Sequence, residues 1–205
     1  MQFLDKKDFL NNQHMFENIV IDIGCGSRKR QAGAIGIDMI DYPCVDIVGD
    51  ALEILRKIDS NSVDEVCSYH FIEHVENFTS ILLEIDRILK VNGVVNLVAP
   101  HFSNPYYYSD PTHKSFFGLY TLCYFVTNKY FNRNVLNYNV TTNLALVKVD
   151  LIFKSAPPFY FRHVLKLAFG KFFNSCKYMK EFYEENICYL FPCYEVSYVL
   201  LKSAD

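Results

Sequence analysis

The stretch Ile19-Val-Ile-Asp-Ile-Gly-Cys-Gly26 decides the fold predicted for this chain of 205 residues. Its mostly apolar run, 19–23, is typical of a strand buried on both faces of a parallel sheet. Gly24 and Gly26 follow, and residues without a Cβ let the backbone turn sharply and approach a ligand closely. The stretch therefore predicts a strand whose carboxyl end opens into a binding crevice.

Apolar runs alternate with helical patterns along the rest of the chain. The remaining strands are predicted at 34–38, 45–50, 63–69, 94–99, 145–154 and 195–202, and helices at 3–17, 51–58, 79–90 and 115–128. About seven residues separate Gly26 from the second strand, whereas a parallel crossover usually needs about a dozen. We therefore predict a single α/β domain, 1–205: a Rossmann-like, mostly parallel, seven-stranded sheet with flanking helices, its first two crossover helices reduced and a helical insertion, 159–190, before the last strand.

Composition and charge exclude several classes of protein. The formal net charge of −3 gives no basic field for nucleic acid, and no apolar run approaches the roughly 20 residues of a membrane span. The N-terminus does not resemble a signal peptide, and the seven cysteines are scattered without a C-x-x-C pair. We expect a cytoplasmic protein with reduced thiols. The sequence leaves its oligomeric state open.

Acidic residues follow the first three strands of the predicted sheet. Asp22, Asp38 and Asp50 should converge on one crevice, because the carboxyl ends of parallel strands meet at the same edge. A carboxylate at 38 suits a ribose diol, and one at 50, beside Ala51, suits an adenine amino group. Each aspartate alone is equally typical of a turn or cap. Lys29 occupies the place of the third glycine in a dinucleotide fingerprint, which disfavours an NAD-dependent reductase.

With these motifs the chain resembles the class I S-adenosylmethionine-dependent methyltransferases. The matching pieces keep the family's order and spacing over about the first 100 residues: VIDIGCG at 20–26, GID at 36–38, GDA at 49–51, VDEVCSYHFIEHV at 63–75 and LLEIDRILKVNGVVNLVAP at 82–100. The resemblance implies an enzyme that takes a methyl group from S-adenosylmethionine and releases S-adenosylhomocysteine.

The resemblance also implies which residues hold that cofactor. The turn after the first strand would face its methionine part, the ends of the second and third strands its ribose and adenine, and the end of the fourth strand would wall the site. The residues concerned are Asp22, Gly24, Cys25, Gly26, Asp38, Met39, Asp50, Ala51, His70 and Phe71.

A narrower resemblance covers PHFSNPYYYSDPTHKSFF at 100–117, which is similar to bacterial methyltransferases associated with surface polysaccharide or capsule. It implies O-methylation of a small-molecule, carbohydrate-type or nucleotide-linked precursor, at a sugar hydroxyl or a phosphate-type oxygen. Residues 1–101 would then bind the cofactor and 102–205 the acceptor, with the loop 101–114 and the insertion closing over it. The alternative is a degenerate module that binds the nucleoside and transfers nothing.

Two histidines after the fifth strand are candidates for a general base, which a hydroxyl acceptor needs. His113 is the first candidate, with Asp110 as its orienting partner, and His101 is the second. In an equally weighted interpretation Asp110 caps a helix and His113 packs in its first turn. The candidates for acceptor binding are Tyr106, Tyr107, Tyr108 and Asp110.

The segment Tyr69-His-Phe-Ile-Glu-His-Val75 also contains H-x-x-E-H, the ligand pattern of one class of zinc peptidases. That pattern requires its ligands on one face of a helix, whereas His70 directly follows a predicted strand. We therefore expect no metal site from this motif. Glu73 and His74 are expected instead to begin the next helix and to pack near the cofactor.

Overall fold

The computed structural model describes residues 3–136 and 142–204. The strands are β1 (Leu4–Asp5), β2 (Val20–Ile23), β3 (Ile35–Asp38), β4 (Ile47–Val48), β5 (Val63–Tyr69), β6 (Leu89–Pro100), β7 (Leu144–Ile152) and β8 (Glu195–Lys202). The α-helices are α1 (Ala51–Leu55), α2 (Phe78–Ile88), α3 (Tyr160–Phe173) and α4 (Lys177–Asn186). Short 3-10 turns lie at Gln13–Met15, Tyr107–Ser109 and Thr121–Tyr124.

The strands form one sheet in the order β1-β4-β3-β2-β5-β6-β8-β7. β4, β3, β2, β5 and β6 run parallel, and β1, β8 and β7 pair antiparallel at the two sides. The α/β class and the mostly parallel Rossmann-like sheet are confirmed, with eight strands rather than seven. The strand order reverses at β2, between β3 and β5, and open sheets of this kind bind ligands at such a switch point.

Reduced crossovers and one long helix frame this sheet. No helix lies between β2 and β3 or between β3 and β4, as predicted. The crossover from β5 to β6 holds α2, which Asn77 caps by accepting a hydrogen bond from the Ser80 N–H at 3.2 Å. The helix then buries Ile81, Leu82, Ile85 and Ile88 at one-turn spacing. The apolar face of α2 therefore covers the sheet, which the two crossovers without helices do not.

Two predicted helices are wrong. Residues 3–17 contain β1, which pairs with β4 and adds the eighth strand, and a 3-10 turn. Residues 115–128 contain a single bridge from His101 to Phe117 and another 3-10 turn. Phe117 and Leu119 are both fully buried, and two residues that alternate in this way suit extended backbone rather than one helix face.

The helical insertion is confirmed as α3 and α4, and it packs against the segment after β6. The Glu184 carboxylate of α4 accepts the Leu119 N–H at 2.7 Å and lies 3.1 Å from His101 Nε2. All seven cysteines are free thiols. Among the described residues, none of the helices combines the length and hydropathy needed to cross a bilayer.

Candidate functional site

A cleft of about 820 Å³ opens at the carboxyl edge of the parallel strands. Its wall comes from the turn after β2, the ends of β3, β4 and β5, and the segment 112–114. The structure places eight of the ten predicted cofactor residues on this wall: Gly24, Gly26, Asp38, Met39, Asp50, Ala51, His70 and Phe71. The volume lies within the range of small-molecule sites, about 300–1,000 Å³.

The turn after β2 depends on glycine for two reasons. Gly24 has φ +67° and Gly26 has φ +58°, a left-handed conformation that other residues rarely adopt. A Cβ on Gly24 would also lie 2.4 Å from Phe71, whereas one on Gly26 would meet no atom within 4 Å. The backbone at Gly24 therefore packs directly on the cleft wall, and the space above Gly26 is open.

The Asp38 carboxylate holds this turn against β3. Its Oδ2 accepts the Gly26 N–H at 2.8 Å, and its Oδ1 accepts the Ile40 N–H at 2.9 Å. Each carboxylate oxygen has a further lone pair, so the side chain remains able to accept hydroxyl groups of a ligand in the cleft. A mutation here would disturb both the turn and the ligand.

Asp50 has two structural roles, because it caps a helix and also lines the cleft. Its Oδ1 accepts the Glu53 N–H at 3.0 Å, which makes it the N-cap of α1. The cap fixes the carboxylate beside Ala51 on the same wall. The two interpretations of this residue from sequence are therefore compatible.

The other two predicted cofactor residues lie beneath the wall. Asp22 is buried and accepts the Arg30 N–H at 2.7 Å, and burial raises the pKa of its carboxyl. Cys25 is also buried, and burial raises the pKa of its thiol to about 12, so it stays protonated at neutral pH. Neither residue lines the cleft in this structure. Asp22 fixes the loop that carries the glycines.

Lys29 fastens the same loop from below. Its ammonium donates to the Ala34 carbonyl at 2.8 Å and pairs with Asp46. Burial opposes ionisation of Asp46, but the hydrogen bonds from Lys29 and from the Gly36 N–H leave its pKa lowered. The lysine thus has a structural role at the position where a dinucleotide fingerprint has its third glycine.

His70 ends β5 with φ +54° and forms part of the cleft wall. Its Nε2 lies 2.8 Å from Glu195 Oε1, and its Nδ1 lies 3.3 Å from Glu73 Oε1. The hydrogen bond to Glu195, and then the contact with Glu73, raise the pKa of His70 to about 9. The imidazole is therefore a cation at neutral pH. Lys154 pairs with the same Glu195 carboxylate.

Neither candidate base lines the cleft directly. His101 is 0% exposed, with Nδ1 2.8 Å from Ser103 Oγ and Nε2 facing Glu184. The side chain of His113 is 9% exposed, and its Nδ1–H donates to the Tyr107 carbonyl at 2.8 Å. The His113 ring lies behind His74, at 4.8 Å between ring centroids. The side chain of His74 thus separates His113 from the cleft, while His101 contacts Glu184 and supports the insertion.

The predicted acceptor residues are also set back from the cleft. Tyr107 is buried and donates its hydroxyl to the Ser115 carbonyl at 2.6 Å, whereas Tyr106 and Tyr108 are exposed. Asp110 caps a turn rather than a helix, because its Oδ1 accepts both the N–H and the hydroxyl of Thr112. None of the four residues is on the cleft wall.

Sequence reasoning missed Thr112 and Lys114, which line the cleft. As expected, His74 and Glu73 lie beside it, His74 on the wall and Glu73 buried behind, but neither begins a helix, since α2 starts at Phe78. The Lys114 N–H donates to the Glu73 carbonyl at 2.7 Å, which docks the later loop on the segment after β5. The motif EHV drew attention to Glu73 and His74, but only the fold shows which residues face them. No residue of the insertion is on the wall.

Comparison with known proteins supports one class of enzyme. Residues 21–97 match the family model for a methyltransferase domain. No curated protein sequence matches the chain.

Solved structures share the fold at low sequence identity. An Archaeoglobus fulgidus S-adenosylmethionine-dependent methyltransferase is 20% identical, with TM-score 0.56, over 96% of this chain and 92% of its own. Phosphoethanolamine N-methyltransferase 2 of Haemonchus contortus, in complex with S-adenosylmethionine, is 16% identical, with TM-score 0.54, over 91% of this chain and 49% of its own. Geranyl diphosphate C-methyltransferase of Streptomyces coelicolor is 13% identical, with TM-score 0.51, over 91% of this chain and 72% of its own.

The solved structures establish the fold. The family match indicates a methyltransferase domain in residues 21–97. The names of these two methyltransferases refer to different compounds, so the comparisons leave the acceptor of this chain open.

Proposed function

We propose that this chain is an S-adenosylmethionine-dependent methyltransferase that methylates an oxygen of a small, nucleotide-linked or carbohydrate-type precursor of cell-surface polysaccharide. The observation that carries the proposal is the convergence of the Gly24–Gly26 turn, Asp38 and Asp50 on one cleft at the switch point of a parallel sheet. The acceptor class rests on the resemblance of 100–117 and on the polar groups of 112–114.

The wall fits this cofactor. The open space above Gly26 lets an extended ligand pass close to the backbone, Asp38 offers acceptors for a ribose diol, and Asp50 and Ala51 lie where an adenine edge would follow. The cleft is near the upper end of the usual range for one ligand, about 1,000 Å³, so a compact acceptor has room beside the nucleoside.

S-adenosylmethionine, when bound, would supply a methyl group on a sulfonium for transfer to the acceptor oxygen, with S-adenosylhomocysteine as the leaving group. The chain's own residues have to align the acceptor and exclude water. A hydroxyl acceptor must also lose its proton, and the imidazole of His74 lies on the cleft wall. His113, our first candidate from sequence, lies behind His74 and would act through it. His101, the second candidate, is buried and does not line the cleft.

A turnover screen tests this function. Purified protein is incubated with S-adenosylmethionine and nucleotide-activated sugars, modified phosphates or small metabolites, and release of S-adenosylhomocysteine is measured. We expect His113→Ala to retain cofactor affinity while turnover falls about 100-fold or more if a base is used. Asp38→Ala is the inactive control. A drop of a few fold would indicate an acceptor oxygen that is already ionised. Full activity in both His113→Ala and His74→Ala would exclude a histidine base.

A further inference from the structure

We propose that Glu73, His74 and His113 form a binding site for a divalent transition metal on the wall of the cleft. One ligand atom from each of the three residues lies within 4.8 Å of the other two. Glu73 and His74 come from the segment between β5 and α2, and His113 from the segment after β6. They are brought together by docking of Lys114 on the Glu73 backbone.

The Glu73 carboxylate provides the first independent observation. The side chain is 0% exposed, and no hydrogen bond from the described residues reaches either oxygen. His70 Nδ1 lies 3.3 Å from Oε1 without hydrogen-bond alignment, and that contact leaves Oε2 uncompensated. Burying a carboxylate oxygen without a partner is costly, and a metal ion beside Oε2 would remove that cost.

The hydrogen bonds of the two histidines determine where their lone pairs point. A carbonyl can only accept, so His113 donates Nδ1–H to Tyr107. Thr112 donates its hydroxyl to Asp110 Oδ1 and therefore accepts from His74 Nδ1–H, at 2.8 Å. Both rings are thus held in the tautomer whose Nε2 carries a free lone pair. Histidines that ligate metals are commonly oriented by such a partner on the other ring nitrogen.

The three side chains of the cluster consequently turn acceptor atoms toward one another. His74 Nε2 lies 3.9 Å from Glu73 Oε1, and Asp110 Oδ2 adds a carboxylate oxygen 3.8 Å from His113 Nε2. Two imidazole nitrogens and one carboxylate match the donors of catalytic zinc and of non-haem iron(II), which keep other positions open. His74 and Thr112 line the cleft, so an open position would face an acceptor oxygen there, and the bound metal would then take the place of a histidine base in lowering the pKa of that oxygen.

This site differs from the H-x-x-E-H arrangement that the sequence argument rejected. His70 does not contribute, because its Nε2 lies on Glu195. The third ligand comes from His113, 39 positions beyond His74 in the chain. The H-x-x-E-H motif itself is still expected to bind no metal. The proposed site uses a different ligand set, which only the fold brings together.

The test measures metal binding and does not depend on activity. Untagged full-length protein is stripped with a chelator, and Zn²⁺ is titrated by calorimetry, with metal content measured after dialysis. We expect one tightly held zinc per chain and a raised melting temperature, with affinity at least 100-fold weaker in Glu73→Gln and His113→Ala. His74→Ala, at a half-exposed position, provides the same test with the least risk to folding. His14→Ala removes an exposed histidine elsewhere and should change nothing.

Two controls separate this site from other binding. Mg²⁺ should not compete, since it prefers oxygen ligands. Cobalt(II) should bind without thiolate charge-transfer absorption, which excludes the cysteines. No stoichiometric zinc in the wild-type protein, or equal affinity in Glu73→Gln and His113→Ala, would overturn the proposal. A wild-type protein without zinc that becomes more stable in Glu73→Gln would likewise show that the buried carboxylate holds no metal.

Discussion

Asp38 and His101 occupy similar positions relative to their strands but lie in different surroundings. Both are polar residues at the end of a buried strand, β3 for Asp38 and β6 for His101. Asp38 faces the cleft and orders the glycine turn, whereas His101 is enclosed by Ser103 and Glu184. The difference shows that a strand end at the switch point opens onto the cleft, whereas the end of β6 supports the insertion. Substitution of Asp38 should therefore lower ligand affinity, whereas substitution of His101 should lower the free energy of unfolding.

The largest effect is expected for Gly24→Ala. The added Cβ would lie 2.4 Å from Phe71, and the alanine would have to adopt a φ of +67°. Overpacking of about 1–3 kcal/mol and left-handed strain of about 1–2 kcal/mol should together lower the free energy of unfolding and cofactor affinity. Gly26→Ala is the matched control, because it introduces the same left-handed strain but its Cβ has no atom within 4 Å. Equal unfolding curves for the two variants would contradict the close packing on Phe71.

Asp38→Ala should weaken binding of S-adenosylhomocysteine by about 2–4 kcal/mol, or about 30- to 900-fold, because ligand hydroxyls and the Gly26 N–H lose their acceptor. The measurement is calorimetric titration, with the far-ultraviolet spectrum showing that the fold persists. Glu17→Ala is the control, since this exposed residue precedes β2, at the strand's amino end, away from the cleft. Unchanged affinity in Asp38→Ala would remove Asp38 from the ligand site.

His101→Ala should reverse that pattern. It removes the partner of Ser103 and leaves Glu184 with one fewer contact, at a cost of about 1–3 kcal/mol in the free energy of unfolding. Cofactor affinity of the folded fraction should stay within about twofold of the wild type. The measurements are urea unfolding and calorimetry. A variant with normal stability and lost turnover would return His101 to the candidates for general base.

The smallest effect is expected in the insertion. Phe161 is 79% exposed on α3, and no residue of 159–190 lines the cleft. Phe161→Ser should change stability by no more than about 0.5 kcal/mol and leave cofactor affinity unchanged. A large fall in turnover alone would favour the predicted role of the insertion as a cover for the acceptor.

Sequence patterns predicted the parallel half well because each of its elements is specified locally. Val63–Tyr69 was predicted with the bounds that β5 has, and the glycine turn and acidic strand ends placed eight cofactor candidates on one wall. Asp22 and Cys25 do not line the cleft, because Asp22 is buried on the Arg30 N–H and Cys25 is buried in the turn. Local periodicity describes which face is buried but not which buried side chain a ligand can reach.

The segment after Pro100 was predicted poorly because its conformation depends on distant contacts. Phe117 pairs with His101, and Leu119 donates its N–H to Glu184, 65 positions later. The contact of His70 with Glu195 spans 125 positions. No local pattern contains such pairings, so the predicted helix at 115–128 was wrong and the cluster around Glu73 was not foreseen.

The most direct test of the central claim is a comparative titration of the wild-type protein with S-adenosylhomocysteine and with NAD. The account predicts saturable binding of one S-adenosylhomocysteine per chain in the micromolar range, prevented by S-adenosylmethionine and severely weakened by Asp38→Ala, with no heat from NAD. Binding of NAD at the same site, or no binding of S-adenosylhomocysteine to folded wild-type protein, would contradict it.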